Sequence, residues 1–114
     1  MKKSLLKNKS DKQKVRDAEW KVCGIYRRKE LGGKYGYVVC EFCSGPEGSD
    51  EFWRFGGHHL DRNRRNNTYD NYYNVHNVCH SWITDHPLVE IKQEDFYGRV
   101  HNIDVMNSHN GGNN

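Results

Sequence analysis

The residues able to do chemistry in this chain are four cysteines and seven histidines, and most of them fall between positions 40 and 80. Cys40-Glu41-Phe42-Cys43 places two thiols at the spacing that lets one turn present both to a single ion. His76-Asn77-Val78-Cys79 repeats that spacing with histidine in the first slot. Together the two knuckles offer the four soft or borderline donors of a tetrahedral structural zinc site. Three other readings compete: a Cys40–Cys43 disulfide, His80 in place of His76 as fourth ligand, and chance spacing. The βαβ pattern that accompanies a thioredoxin-type Cys-x-x-Cys is absent, which counts against the disulfide. His80 adjoins Cys79, and adjacent residues seldom share a tetrahedral site. Cys23 fits neither pair and reads as a free, partly buried thiol.

A second group begins at His58-His59-Leu60-Asp61-Arg62-Asn63-Arg64-Arg65, runs through a polar stretch to Asn71, and ends at His80. Taken singly, Asn71 is a turn former and each histidine an ordinary polar residue. Taken jointly, with a Cys-x-x-Cys before and a His-x-x-Cys-His after, the stretch 40–80 resembles the zinc-bearing branch of the HNH endonuclease family. One zinc slot departs from that pattern, with His76 where the family carries cysteine; imidazole is also a normal zinc ligand. The resemblance implies a small ββα-metal core. It implies His59 as general base, His58 and His80 as holders of one catalytic divalent ion (Mg²⁺ or Mn²⁺), and Asn71 as the residue that fixes the loop carrying the base. Phosphodiester hydrolysis asks for such a set: a base to deprotonate water and a cation to stabilise charge on the phosphate and leaving oxygen. The slot where colicin-type members carry another histidine is Thr84, leaving Asp85, His86 or water to complete the shell. In a regular strand His58 and His59 face opposite ways, so the strand must end or twist after Gly56-Gly57, and a different twist swaps the two roles.

These residues need elements to position them and a means of holding a small core together. Leu, Ile, Val and Phe make up 22 of 114 residues, under one-fifth. With a net charge of only +3 this does not signal disorder. It excludes a membrane protein, a collagen, a coiled coil and a large-cored enzyme. It calls for a staple, which the knuckles supply. The expected fold is α+β: a zinc-stapled ββα core over 35–106, preceded by a basic arm (1–34) with a helix and followed by a disordered tail (107–114). The helix is expected over 11–23, opened by a Ser10–Gln13 capping box, with Val15, Ala18 and Val22 on one face and Gly24 as its stop. A strand is expected from Tyr35 into Cys40, another over 52–55, a loop over 61–74, and helices over 77–85 and 92–102.

Residues 1–34 carry 12 Lys or Arg against 4 acids, and the remainder is net acidic. A basic arm suits a polyanion, because clustered cations displace counterions from phosphate backbones. Arg62, Arg64 and Arg65 beside the histidine pair, with Arg27, Arg28 and Lys29 on the arm, are the expected contacts to double-stranded DNA. Tyr69, Tyr72 and Tyr73 are expected to cover the knuckles. No secretory signal or membrane span is legible, so the expected site of action is the cytoplasm, that of the host cell if the chain is phage-encoded. The favoured function is a metal-dependent DNA endonuclease of the stand-alone phage homing type. Its rivals are a non-catalytic zinc-stapled nucleic-acid-binding module and a disulfide-bonded secreted protein.

Overall fold

The computed structural model describes residues 11–100. Its first element, α1 (Asp11–Tyr35), has an acid in its first turn and Lys34 in its last, the arrangement that complements the helix dipole. It runs straight through Gly24 and ends at Gly36, whose φ of 84° and 2.9 Å hydrogen bond to the Gly32 carbonyl form a left-handed cap. The expected stop at Gly24 is therefore corrected. A Cβ there would lie 2.6 Å from the Tyr72 hydroxyl, so glycine serves the close approach of helix to sheet. The expected inner face is corrected too. Val15 and Val22 are 56% and 47% exposed, and the helix instead buries Gly24, Arg27 and Leu31. Because α1 includes Tyr35, the expected boundary at 34 falls inside it, and the strand expected from Tyr35 shrinks to one bridge between Val39 and Pro46. Ser10 and the 107–114 tail lie outside the described residues.

The sheet has two antiparallel strands, β1 (Phe55–His59) and β2 (Tyr72–His76), in the register Phe55↔His76 to His59↔Tyr72. Of the strand expected over 52–55 only Phe55 belongs to β1; residues 51–53 form a single tight turn capped by Asp50, whose carboxylate accepts from the Phe52 amide at 2.8 Å. The polar stretch expected to be loop through 74 stops at Asn71, and all five residues of β2 are buried. A strand covered on both faces shows no polar alternation, which hides it in the sequence. Helix α2 (Asn77–Asp85) follows β2 without a loop and ends before Pro87 as expected. Among the described residues, only Tyr97–Val100 (α3) of the expected 92–102 helix is helical; 101 and 102 lie outside them. Glu94, at φ 63°, breaks the run. The core joins Cys40, Phe42, Tyr73, Val75, Val78, Cys79, Trp82 and Ile83.

What ties α1 to this core is a buried ion pair. Arg27 donates to Glu41 through Nε at 3.0 Å and Nη2 at 2.5 Å, and Glu41 is fully buried. The same carboxylate accepts the amides of Asn74 (3.0 Å) and Glu94 (2.7 Å). One side chain thus links helix, knuckle, strand and C-terminal segment. Removing one partner of such a pair leaves a buried charge uncompensated, at a cost of about 3–5 kcal/mol. Arg27→Ala is expected to lower stability by that amount in urea melts. A loss below about 1 kcal/mol would mean that water replaces the guanidinium.

Candidate functional site

The knuckle ligands meet at one point. Donor atoms of Cys40, Cys43, His76 and Cys79 all lie within 4.8 Å of one another, and this group could hold a metal ion. Cys43 Sγ is 3.3 Å from His76 Nδ1, and Cys79 Sγ lies 3.7 Å from both His76 Nδ1 and Cys40 Sγ. Zinc bonds of about 2.3 Å to sulfur and about 2.0 Å to nitrogen, at tetrahedral angles, put ligand atoms roughly 3.5–3.8 Å apart, so the donor set fits zinc. The turn that presents Cys40 and Cys43 is closed by amide bonds from Cys40 to the Gly45 carbonyl and from Ser44 to the Cys40 carbonyl. His76 Nε2 lies 2.7 Å from the Pro46 carbonyl oxygen. A carbonyl only accepts, so Nε2 carries the proton and Nδ1 turns its lone pair toward the cysteines, the usual outer-shell support of a ligating histidine. His80 is not part of this group, and none of the three cysteines in it is disulfide-bonded. Hydrogen bonds from Cys40 and Cys79 hold Cys43 far below the ordinary thiol range, and bonds to Cys40 and Cys43 push Cys79 far above it.

Apart from this cluster, the end of β1 opens into a hollow of about 400 Å³ lined by Gly57, His58, His59, Arg62, Arg64, His80 and Thr84. The strand ends at His59, and the two neighbouring histidines point to opposite faces, as strand geometry requires. His58 is buried on the α2 side, its ring centroid 5.0 Å from that of His80. His59 lies on the α1 side, stacked on Trp20 at 3.7 Å and 9°. Because the strand stops there, both rings still border the same hollow.

His58 Nε2 is buried with no hydrogen-bond partner. Burial, then the nearby His80, Arg62 and His59, push its pKa down to about 4. Burial, with His59 and Arg62, lowers that of His80 as well. Both rings are therefore neutral lone-pair donors at neutral pH, and with the orphaned nitrogen of His58 they could take a divalent ion. Imidazole nitrogens accept Mn²⁺ and later transition metals, whereas Mg²⁺ prefers oxygen. Thr84 lines the hollow, whereas the His86 ring is stacked on Trp82 with Nδ1 2.7 Å from the Trp82 carbonyl.

Sequence reasoning missed Trp20 and Asn67, which hold His59. Asn67 Nδ2 donates to the Arg16 carbonyl at 3.0 Å, which turns Oδ1 to the ring, 2.8 Å from His59 Nε2. The amide oxygen can only accept, so Nε2 bears a proton, and in the neutral ring the lone pair falls on Nδ1. Asn71 ties down the connecting loop: Oδ1 accepts the Asp61 amide at 2.9 Å, while Nδ2 donates to Asp61 Oδ1 and the Asn66 carbonyl, both at 2.9 Å. Asn71→Ala loses all three bonds and is expected to cost about 1–3 kcal/mol. A melting curve superimposable on that of the wild type would show the loop held by other contacts.

Of the expected DNA contacts, Arg27 is corrected: it is buried on Glu41 and offers nothing to a ligand. Arg28 is half-buried, its Nη1 donating to the Tyr72 hydroxyl at 2.9 Å. Arg62 donates to the Ile83 carbonyl at 3.2 Å, capping α2 beside the hollow. Lys29, Arg64 and Arg65 are exposed. The tyrosines divide. Tyr73 lies in the core with Cys40 and Cys79, but Tyr69 packs under Arg27, and Tyr72 lies against Trp20 and Gly57. Cys23 is free and half-buried, 3.6 Å from the Asn67 carbonyl. Among the described residues no helix is long and apolar enough to cross a membrane. No protein-family model matches this chain, and neither does any curated protein or solved structure.

Proposed function

We propose that this chain is a metal-dependent DNA endonuclease of the HNH type, of the stand-alone phage homing kind, acting on double-stranded DNA. The observation that carries the reading is the meeting of His58, His59 and His80 in one arginine-lined hollow beside a four-ligand cysteine–histidine cluster. The chain order β1, polar loop, β2, α2 agrees with a ββα-metal core, with the cluster as its structural zinc site.

His58 and His80 would hold a divalent ion, which supplies charge neutralisation at the scissile phosphate and leaving oxygen. His59 takes the proton of the attacking water at Nδ1, its Nε2–H anchored on Asn67. Trp20 keeps the ring from turning, and Asn71 fixes the loop through which Asn67 and Arg64 are placed. Arg62 and Arg64, both lining the hollow, steady the phosphate. A module that only binds nucleic acid has no use for a buried, partnerless imidazole nitrogen on a ring packed beside a second histidine. The test is to measure bound zinc, then incubate zinc-loaded protein with supercoiled plasmid and Mg²⁺ or Mn²⁺. Nicked or linear product supports the reading, and an intact plasmid with either ion rejects it.

A further inference from the structure

A second hollow, of about 430 Å³, opens between α1 and the loop that follows β1, and it shares His59 and Arg64 with the first. Arg16 and Trp20 line it from the helix, Arg65 from the loop, and Asp17 is its one carboxylate. Three guanidinium groups thus face a single acid around a pocket whose floor includes the Trp20–His59 stack.

The arginines of this chain differ in what they are committed to. Those of Arg27, Arg28 and Arg62 bond Glu41, the Tyr72 hydroxyl and the Ile83 carbonyl. The side chains of Arg64 and Arg65 make no hydrogen bond or ion pair among the described residues, and both are exposed. Arg16 donates from Nη2 to Gln13 Oε1 at 2.8 Å, a partner on its own helix, which leaves its other donors for a ligand. Neutralising three such cations asks for a compact anion with several acceptor oxygens, which is the chemistry of a phosphodiester.

We propose that this second hollow is a subsite for a backbone phosphate of DNA, held by Arg16, Arg64 and Arg65. The strand would cross His59 from this subsite into the His58–His80 hollow, and that path rests on the nuclease reading. The helix that sequence suggested as a general basic arm then acts at one defined place, through Arg16, while Arg27 builds the core.

The test uses zinc-loaded full-length protein and a fluorescently labelled 20-bp duplex without added Mg²⁺ or Mn²⁺, read by anisotropy across a salt series. Arg16→Gln and Arg65→Gln are each expected to weaken binding about 5-fold or more, and to reduce the slope of log K against log salt by about 1, as loss of one phosphate contact does. Asp17→Asn is expected to tighten binding. Unchanged melting temperatures show that the variants fold. Wild-type affinity and slope in both arginine variants, or no duplex binding by the wild type, would overturn the subsite. If the wild type fails to nick plasmid while the arginine variants bind more weakly, the subsite stands and the nuclease reading falls. If plasmid is nicked and duplex binding is insensitive to Arg16 and Arg65, the reverse holds.

Discussion

Stripping metal from the Cys40, Cys43, His76 and Cys79 cluster is expected to unfold this protein. A structural zinc contributes roughly 10–16 kcal/mol of apparent binding energy, and because the site does not exist in the unfolded chain that energy is folding energy. The whole stability of a domain this size is about 5–15 kcal/mol, so the loss is not one the rest can absorb. The cluster also sits inside the main core. Cys40 and Cys79 are themselves core residues, and the four ligands join the 40–46 turn to the junction of β2 and α2. A strong chelator should abolish the helical circular dichroism and the chemical-shift dispersion of the folded state, and stoichiometric zinc should restore both. His76→Ala should reproduce the loss. His80→Ala, one residue beyond Cys79 but outside the cluster, should keep its zinc and its fold. A chelated protein with an unchanged melting temperature would sink the structural role, and the opposite behaviour of the two histidine variants would move the zinc site.

That contrast also shows which parts of the molecule could be read in the sequence. Ligand spacing is local chemistry: one turn must present Cys40 and Cys43 together, so the pair is visible without any knowledge of the fold. The end of α2 before Pro87 is equally local. The length of α1 was not legible, because Gly24 is there for Tyr72, a partner 48 positions away in sequence. Strand β2 was hidden by its burial on both faces, and Tyr72-Tyr73-Asn74 looks like the tail of a polar loop. Arg27 looked like one more cation of a basic arm because its partner, Glu41, is itself disguised between two cysteines. The histidine group was found through joint spacing. Its supports, Trp20 and Asn67, were not, since a helix 39 residues upstream of His59 gives no sequence sign of where it will dock. Residue type and spacing can be read along the chain, and the residues that position a site are defined by contacts only the fold creates.

Replacing His59 by alanine is expected to lower plasmid cleavage by about 10²–10⁴-fold, the range for a positioned general base. The folded state should survive the change. His59 is only half-buried at the end of β1, and it belongs neither to the cysteine–histidine cluster nor to the Arg27–Glu41 pair. Duplex affinity should also hold, since Arg16, Arg64 and Arg65 remain. A base acts on the chemical step, so the loss should appear in kcat with little change in KM. Asn67→Ala makes the complementary case. It leaves the imidazole in place but removes the oxygen that keeps the proton on Nε2, so it should lower kcat less than His59→Ala does, and the two losses should not add, because the anchor has nothing to orient once the ring is gone. Equal nicking by wild type and His59→Ala preparations would show that the base lies elsewhere. Additive losses in the double variant would show that Asn67 acts on the loop and not on the ring.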